Sequence, residues 1–233
     1  KAVAKEKKGV RLEHISKIYQ DPKTKKDFYA VKDTNLEIEP GSFVTLLGRL
    51  EGVQKVNAET GFTDVPVDSF YSGYVAWAVE KGITTGATET TFAPEKIATR
   101  AEVITFIWRA NGEPEPTSTH NPFTDVKEGR FYYKAVLWAV EQGITTGTDA
   151  THFSPNQSCT RAQIVTFLYH AKGDPSVEGI ENPFQDVAAG TYYYNAVLWA
   201  NENGVTSGVE ADRFAPSAQC TRAQMVTFLY RAY

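Results

Sequence analysis

The chain has 233 residues, among them 12 Tyr, 13 Phe and 4 Trp, which suffices for one or two domains with hydrophobic cores. Its net charge of −4 is uneven: residues 1–61 carry 12 Lys/Arg and 9 Asp/Glu, whereas residues 62–233 carry 12 and 19. The acidic C-terminal part argues against nucleic-acid binding. No apolar run approaches the ~20 residues that a membrane-spanning helix needs.

The first 61 residues show the patterns of short strands. Residues 10–13 and 35–39 alternate between apolar and polar side chains, and Pro40-Gly41 predicts a turn. The apolar run at 43–47 predicts a buried strand that ends at Gly48. We therefore predict a small β-rich segment over residues 1–48 and a linker over residues 49–61.

Residues 10–48 resemble the start of an ABC transporter ATPase subunit, truncated before a complete Walker A motif. The resemblance implies that Tyr19 matches the aromatic residue that stacks on adenine and that Gly48 is the first Walker A glycine. A P-loop requires G-x-x-x-x-G-K-[ST], but after Gly48 the next glycine is Gly52 and no Lys-Ser/Thr pair follows. Nucleotide hydrolysis is not supported, although an ABC-type ATP-binding fragment remains an alternative function. Whether the segment is a natural fusion or an artefact of assembly is left open.

Three copies of one unit occupy residues 62–112, 121–173 and 182–233, with corresponding residues 61 positions apart. Each copy opens with Phe-x-Asp-Val and continues into a helix pattern with one tryptophan and a final glycine. A glycine loop and Phe-x-Pro precede a second helix pattern. Helices of about three turns are not stable alone, so the units are expected to bury their apolar faces against each other. The motifs begin at Phe62, Phe123 and Phe184, and the helix-ending glycines are Gly82, Gly143 and Gly204.

The second helix of each unit begins with Thr-Arg-Ala-Glu or Thr-Arg-Ala-Gln, which predicts a capping box. In this motif the threonine side chain accepts from the backbone N–H three residues on, and Glu or Gln reaches back. Apolar residues at i, i+3, i+4 and i+7 follow, which is typical of an amphipathic helix. The three capping residues are Thr99, Thr160 and Thr221.

The capping motif does not account for its arginine. A cation in the first turn of a helix faces the positive end of the macrodipole, which costs ~0.3–1 kcal/mol. We interpret the three arginines as ligand-binding residues that hold an anion at the helix start, where free N–H groups also favour negative charge. The alternative is a structural ion pair between packed units, for example with the aspartates of Phe-x-Asp-Val. The arginines are Arg100, Arg161 and Arg222.

Three further sets of repeated residues are candidate ligand contacts, each with a structural alternative. The structural alternative for the aspartates is that they cap a turn or orient the arginine. The tryptophans suit the core, with one edge free to stack on a sugar. The loop glycines suit a left-handed turn, or else the close approach of a ligand. These candidates are Asp64, Asp125 and Asp186; Trp77, Trp138 and Trp199; and Gly86, Gly147 and Gly208.

No catalytic or metal-binding constellation emerges from the sequence. The four histidines lack ligand spacing, and the acidic residues recur in threes instead of as a catalytic pair. We therefore expect no enzyme activity, no cofactor and no metal. Cys159 and Cys220 both precede a capping threonine, where the first repeat has Ala98, and they are predicted to be small buried thiols.

The spaced motifs Phe-x-Asp-Val, Gly-Ile-Thr-x-Gly, Phe-x-Pro and Thr-Arg-Ala-Glu/Gln resemble S-layer homology (SLH) modules throughout residues 62–233. The resemblance implies a mainly α fold with three helix-loop-helix repeats in a pseudo-threefold bundle. It implies non-covalent cell-wall anchoring through grooves between repeats that bind secondary cell-wall polysaccharide, often at a pyruvate ketal on N-acetylmannosamine. Gln163 and Gln224 stand where Glu is usual, which is expected to alter the charge beside the arginine.

The resemblance also sets the expected location and partners. We expect a monomeric pseudo-trimer at the cell surface or wall of a Gram-positive-type envelope, with a pyruvylated wall polymer as its partner. The chain opens on Lys1 without a secretory signal, which we interpret as a fragment or processed piece. A protein–protein interaction module at the cell surface is the second alternative function.

Overall fold

The computed structural model describes residues 10–20, 27–38 and 58–233, with side chains described from residue 58 onward. The chain divides into two units, Lys1–Gln54 and Lys55–Tyr233. In the first unit, β1 (Val10–Gln20) and β2 (Asp27–Ile38) form an antiparallel pair. The predicted strand residues 10–13 lie in β1, and residues 35–38 lie in β2. The predicted strand at 43–47 and the Walker-like Gly48 lie outside the described residues.

The second unit contains six helices within its described residues, two in each repeat, which confirms the mainly α fold. The first helix ends in a Schellman motif in the first and second repeats. In the first copy Gly82 has φ +69°, its N–H donates to Val79, and the N–H of Ile83 donates to Ala78. The helices are α1 (Ser72–Glu80), α2 (Arg100–Ala110), α3 (Tyr133–Glu141), α4 (Arg161–Ala171), α5 (Tyr194–Glu202) and α6 (Arg222–Ala232).

The predicted capping boxes are present at the start of α2, α4 and α6. In α2 the N–H of Glu102 donates to Thr99 Oγ1 (3.3 Å), and the N–H of Thr99 donates to Glu102 Oε2 (2.9 Å). Below the cap, the apolar stripe is buried, with Val103 and Ile107 fully inaccessible to solvent. The sequence pattern therefore identified both the start and the buried face of these helices.

The helices form a closed ring across repeats. Each first helix packs on the second helix of the preceding repeat: α3 on α2, α5 on α4, and α1 on α6. The three second helices also contact one another at the centre. Each repeat therefore packs on the next, and the third packs on the first. This closed arrangement confirms the predicted pseudo-threefold bundle. It gives every short helix an apolar surface supplied by another repeat.

A triangle of backbone hydrogen bonds links the three repeats beside the capping threonines. The N–H of Ala98 donates to Cys220, that of Cys220 to Cys159, and that of Cys159 to Ala98, over 2.9, 3.1 and 2.9 Å. Both cysteines are free and fully buried, as predicted. Burial raises the pKa of each thiol to about 12.

These thiols predict a loss of stability at high pH. Their folded-state pKa lies above the unfolded value of about 9, so their contribution is complete below pH 9 and is lost as pH rises toward 12. Between pH 8 and 10, the wild type should lose on the order of 2 kcal/mol more unfolding free energy than C159A/C220A, by urea titration. Ala98 shows that alanine fits this position. Equal losses in the two proteins would contradict the prediction.

Candidate functional site

The start of each second helix is covered by the loop of another repeat. The N–H groups of Arg100 and Ala101 donate to the carbonyls of Gln157 and Pro155, at 2.9 and 3.0 Å. The equivalent groups of α4 and α6 are bonded in the same way, while the next N–H goes to the capping threonine. Our prediction of an anion held by free N–H groups at the helix start is therefore wrong. A capping motif predicts only the hydrogen bonds within its own helix, whereas the carbonyls that accept these bonds belong to a neighbouring repeat.

The arginine side chains also bridge repeats. Arg100 Nε donates to the carbonyl of Phe153 (2.8 Å), and its guanidinium carbon lies 4.8 Å from the ring centroid of Phe153 and 5.2 Å from that of Phe167. Such stacking on aromatic faces is a favourable cation–π arrangement. The side chains are only 2–5% exposed, and burial lowers the pKa of all three guanidinium groups. Arg161 and Arg222 bond to Phe214 and Phe92 in the same way.

The repeated aspartates hold the loop that receives the arginine. Both carboxylate oxygens of Asp125 are used, by the N–H groups of Phe153 (2.9 Å) and Ser154 (2.8 Å). Ser154 has φ +58°, a conformation that a non-glycine residue rarely adopts without support. Among the described residues, none of the three arginines forms an ion pair with these aspartates. The alternative of a structural ion pair between packed units is confirmed for Arg222 alone, and its partner is Glu102. Ligand contact by the aspartates stays a prediction. Asp64 and Asp186 make the same pairs of bonds.

Only one of the three arginines has a carboxylate partner among the described residues. Arg222 Nη1 lies 2.8 Å from Glu102 Oε1, and Lys96 Nζ lies 2.9 Å from the same oxygen. Burial by itself raises the pKa of Glu102, but the Thr99 N–H and the two cations outweigh it, so the pKa is lowered. The positions that correspond to Glu102 hold the neutral Gln163 and Gln224.

A cavity of about 550 Å³ opens beside Arg100 of the first repeat. The second repeat supplies most of its lining, and the third repeat contributes Tyr192. Arg100 Nη2 is buried and has no hydrogen-bond partner among the described residues. A guanidinium N–H in this position is a donor that a ligand can satisfy. The lining consists of Arg100, the loop 143–148, Gln157, Gln163, Thr166, Phe167, His170 and Tyr192.

Tyr192 is a site residue that our sequence analysis did not single out. It is 66% exposed and stacks edge-on against Tyr193, with ring centroids 5.0 Å apart. Phe70 and Phe131, which correspond to it in the other repeats, are 61% and 60% exposed. The signal was present in the sequence, because an aromatic residue stands at each position 61 residues apart. The sequence analysis singled out the tryptophan of the same helix pattern instead.

The tryptophans lie deeper than this aromatic. Trp138 and Trp199 are buried, and Trp77 is half-buried against Tyr230, with ring centroids 5.3 Å apart. Trp138 lines a second cavity, of about 330 Å³, that shares Ile144 and His170 with the Arg100 cavity. Stacking of a sugar on the tryptophans stays a prediction.

The loop glycines have positive φ values of +96°, +92° and +84°, in keeping with the predicted left-handed turns. The close approach at Gly147 is to the protein itself. A Cβ there would lie 2.5 Å from Phe123 Cε1 and 2.6 Å from the carbonyl oxygen of His152. Gly147 also lines the Arg100 cavity, and ligand contact by these glycines stays a prediction. Gly86 and Gly208 are equally crowded.

A closed ring of three helix-loop-helix repeats, with a cationic cavity between neighbours, defines a modular binding unit. A family model for the S-layer homology domain matches residues 61–104, 122–165 and 183–226. The chain belongs to this family. The match confirms the resemblance stated above for residues 62–233.

Relatives with these repeats include both surface-layer proteins and enzymes. The chain is 35% identical over 119 residues (51% of the chain) to an endoglucanase of Bacillus sp. (strain KSM-635). It is 33% identical over 168 residues (69%) to the surface-layer 125 kDa protein of Lysinibacillus sphaericus. It is 28% identical over 174 residues (74%) to the S-layer protein of Bacillus thuringiensis subsp. finitimus. The chain spans only 12%, 14% and 21% of the lengths of these relatives.

The family and its relatives associate the repeats with cell-wall anchoring and the cell surface in general. The match to enzymes as well as surface-layer proteins concerns the repeats that they share with this chain. In the described part of the chain, no helix has the length and apolar character needed to cross a bilayer. Over the same residues, no cluster of three His, Cys, Asp or Glu side chains is arranged to hold a metal ion.

Proposed function

We propose that residues 62–233 anchor a protein to the cell wall, without catalysis, by binding a pyruvylated secondary wall polysaccharide. The observation that carries this proposal is Arg100, which lines an open cavity and whose buried Nη2 has no hydrogen-bond partner among the described residues. A ligand carboxylate there gains a charge-assisted hydrogen bond, which is about twice as strong as a neutral one. A pyruvate ketal supplies this carboxylate on a sugar.

The rest of the cavity suits a sugar ring. Tyr192 places an exposed aromatic ring at the cavity, which is suited to stacking against the apolar face of a pyranose. Gln157, Gln163 and Thr145 line the same cavity with amide and hydroxyl groups that can bond to sugar hydroxyls. The carboxylate thus binds to Arg100 while the ring lies against Tyr192.

The adjoining cavity has room for a further part of the polymer. It continues from His170 and Ile144 to Asn111, Gln142 and Trp138. A polymer that reaches more than one weak site on the same module binds with an avidity above that of each site. Several modest sites therefore suffice for stable anchoring by a monomeric module.

Sedimentation with purified walls tests this proposal. R100A should reduce the protein bound to walls about tenfold, because it removes the guanidinium that lines the cavity. Chemical extraction of the secondary polymer from the walls should abolish binding of the wild type. Unchanged sedimentation of R100A would contradict the proposal.

Because Arg100 also joins two repeats, its loss affects folding as well. Y192A serves as a second variant, since Tyr192 is largely exposed, and thermal melting verifies that each variant is folded. Y192A should keep the wild-type Tm and still bind walls more weakly. Binding that survives polymer extraction would favour the protein–protein interaction alternative. Measurable ATP affinity of the whole chain would favour the alternative that rests on residues 10–48.

A further inference from the structure

The outer surface where α1 packs on α6 exposes aromatic side chains that are covered at the equivalent positions of the ring. Tyr230 is 40% exposed, whereas the corresponding residues of α2 and α4, Trp108 and Tyr169, are 7% and 8% exposed. Trp77, whose ring packs against Tyr230, is half-buried, while the corresponding tryptophans of α3 and α5 are buried. The other two positions therefore have a cover that this surface lacks among the described residues.

That cover is the linker that follows the second helix. Each linker opens with glycine, an acidic residue and proline, and its proline carbonyl accepts a hydrogen bond from the covered ring. Trp108 Nε1 donates to the carbonyl of Pro114 at 2.8 Å. Tyr169 Oη donates in the same way to Pro175 at 2.9 Å. Within the described residues, Tyr230 Oη has no acceptor. The two segments are Gly112-Glu113-Pro114 and Gly173-Asp174-Pro175.

The acidic residue of each linker contacts the basic side chain that follows the covered ring. Arg109 Nε lies 3.4 Å from Glu113 Oε1. His170 Nδ1 lies 2.5 Å from Asp174 Oδ1. The corresponding residue of α6 is Arg231, whose buried Nε has no hydrogen-bond partner in the part of the chain that the structure describes. A buried guanidinium N–H without a partner is a donor that a ligand can satisfy.

A third contact fixes the first linker to the helix beneath it. Glu141, at the end of α3, accepts hydrogen bonds from the backbone N–H groups of Thr117 (3.0 Å) and Ser118. Glu80 corresponds to Glu141 at the end of α1, and it is exposed. Over the described residues its carboxylate has no hydrogen-bond partner. We refer to four residues as the α1–α6 face: Trp77, Glu80, Tyr230 and Arg231.

We propose that the α1–α6 face is a docking site for an extended peptide of a partner polypeptide, with the form Gly-Glu-Pro or Gly-Asp-Pro. The proline lies against Tyr230 and Trp77, and its carbonyl accepts from the Tyr230 hydroxyl. The acidic residue pairs with Arg231, and backbone N–H groups after the proline donate to Glu80. Proline-bearing segments suit aromatic surfaces because their extended conformation is largely preformed, so that binding costs little entropy.

The linkers themselves show that such a peptide fits this kind of surface. They bind a ring donor, a basic side chain and a helix-end carboxylate, and the α1–α6 face presents the same three groups without partners. A second copy of the chain is a poorer occupant, because the proline carbonyls of both its linkers are already bound to its own rings. The inference does not depend on the proposed function, since no residue of the face lines the Arg100 cavity.

NMR titration of the 233-residue chain with a synthetic peptide tests the inference. The peptide has the sequence of residues 110–118, which include the first linker. It should shift the indole N–H signal of Trp77 and leave those of the buried tryptophans of α3 and α5 unchanged. Y230F should weaken binding about fivefold, since it removes the donor and keeps the ring. Y230W should bind as the wild type does, because Trp108 donates from the corresponding position.

A second peptide, with glutamine in place of the glutamate before the first proline, tests the ion pair. The wild type should bind it several-fold more weakly than the first peptide, whereas R231M should bind both peptides equally. Tyr169→Phe is the matched control at a covered position and should leave the affinity for the peptide unchanged. A backbone amide spectrum of each variant verifies that it is folded.

Three results would overturn the inference. The first is no shift of the Trp77 signal with the peptide in large excess. The second is equal binding by the wild type and Y230F, or by peptides with and without their prolines. The third is a dimer of the chain alone, in sedimentation velocity, that Y230F dissociates, since a second copy would then occupy the α1–α6 face.

Discussion

Gly147→Ala should destabilise the repeat unit by about 3 kcal/mol, because the new Cβ has no space in the loop. It would lie 2.5 Å from Phe123 Cε1 and 2.6 and 2.7 Å from the carbonyl oxygens of His152 and Asp149. The Phe123 ring is buried and the two carbonyls are backbone, so none of these neighbours can simply rotate away. The backbone at Gly147 also has φ +92°, which disfavours alanine further. Urea unfolding followed by circular dichroism measures the loss.

Gly143→Ala is the matched control in the same repeat. Gly143 also has positive φ, +69°, but a Cβ there meets nothing within 4 Å. Only the cost of the left-handed backbone remains, about 1 kcal/mol. A loss for Gly143→Ala as large as that for Gly147→Ala would show that backbone conformation, and not contact with Phe123, makes the glycine necessary.

The fold could be predicted from the sequence because its determinants are local and repeated. The capping threonines and the helix-ending glycines lie within one turn of the helices that they bound. The apolar stripes lie within the helices themselves. These features occur three times at a spacing of 61 residues, which made the pattern specific for a fold of three repeats. The length of the helices indicated only that the repeats pack on one another. The closed ring, with α1 packed on α6, was implied by the resemblance to SLH modules.

The site was harder to predict because its contacts join residues far apart in the sequence. Arg100 bonds to Phe153, 53 residues away, and Arg222 to Phe92, 130 residues away. From the sequence, the helix start offered free N–H groups for an anion, but the loop of the next repeat occupies them. The structural alternative for the aspartates was a turn or the orientation of the arginine. Their carboxylates hold the loop that receives the arginine and do not pair with it.

The partner of the charged capping residue could not be predicted either, because it also lies far away in the sequence. The sequence indicated that Gln in place of Glu alters the charge beside an arginine, and the natural assumption was the arginine of the same motif. In the structure, Glu102 instead forms its ion pair with Arg222 of the third repeat. The pairing follows from the direction in which the ring closes, which no local pattern encodes.

Arg222→Met should cost more stability than Arg161→Met, although both arginines are buried and both donate to a phenylalanine carbonyl. Removing Arg222 leaves Glu102, whose side chain is 14% exposed, with one cation in place of two. Breaking a largely buried pair in this way costs about 3 kcal/mol. Removing Arg161 leaves no carboxylate behind, so the loss should be about 1–2 kcal/mol, from the hydrogen bond and the aromatic contact. Urea unfolding at pH 7 measures both.

The double variant R222M/E102Q attributes the difference to the carboxylate, because neutral Gln at residue 102 should bring the loss back to that of Arg161→Met. Lowering the pH should also reduce the stability difference between Arg222→Met and Arg161→Met, without the mutation of Glu102. The pKa of Glu102 is lowered below 4.5 in the folded state, so the contribution of its ion pair with Arg222 is complete above pH 4.5. It is lost as pH falls through the folded-state pKa. A gap between the two Met variants that persists in the E102Q background would show that Glu102 is not its cause.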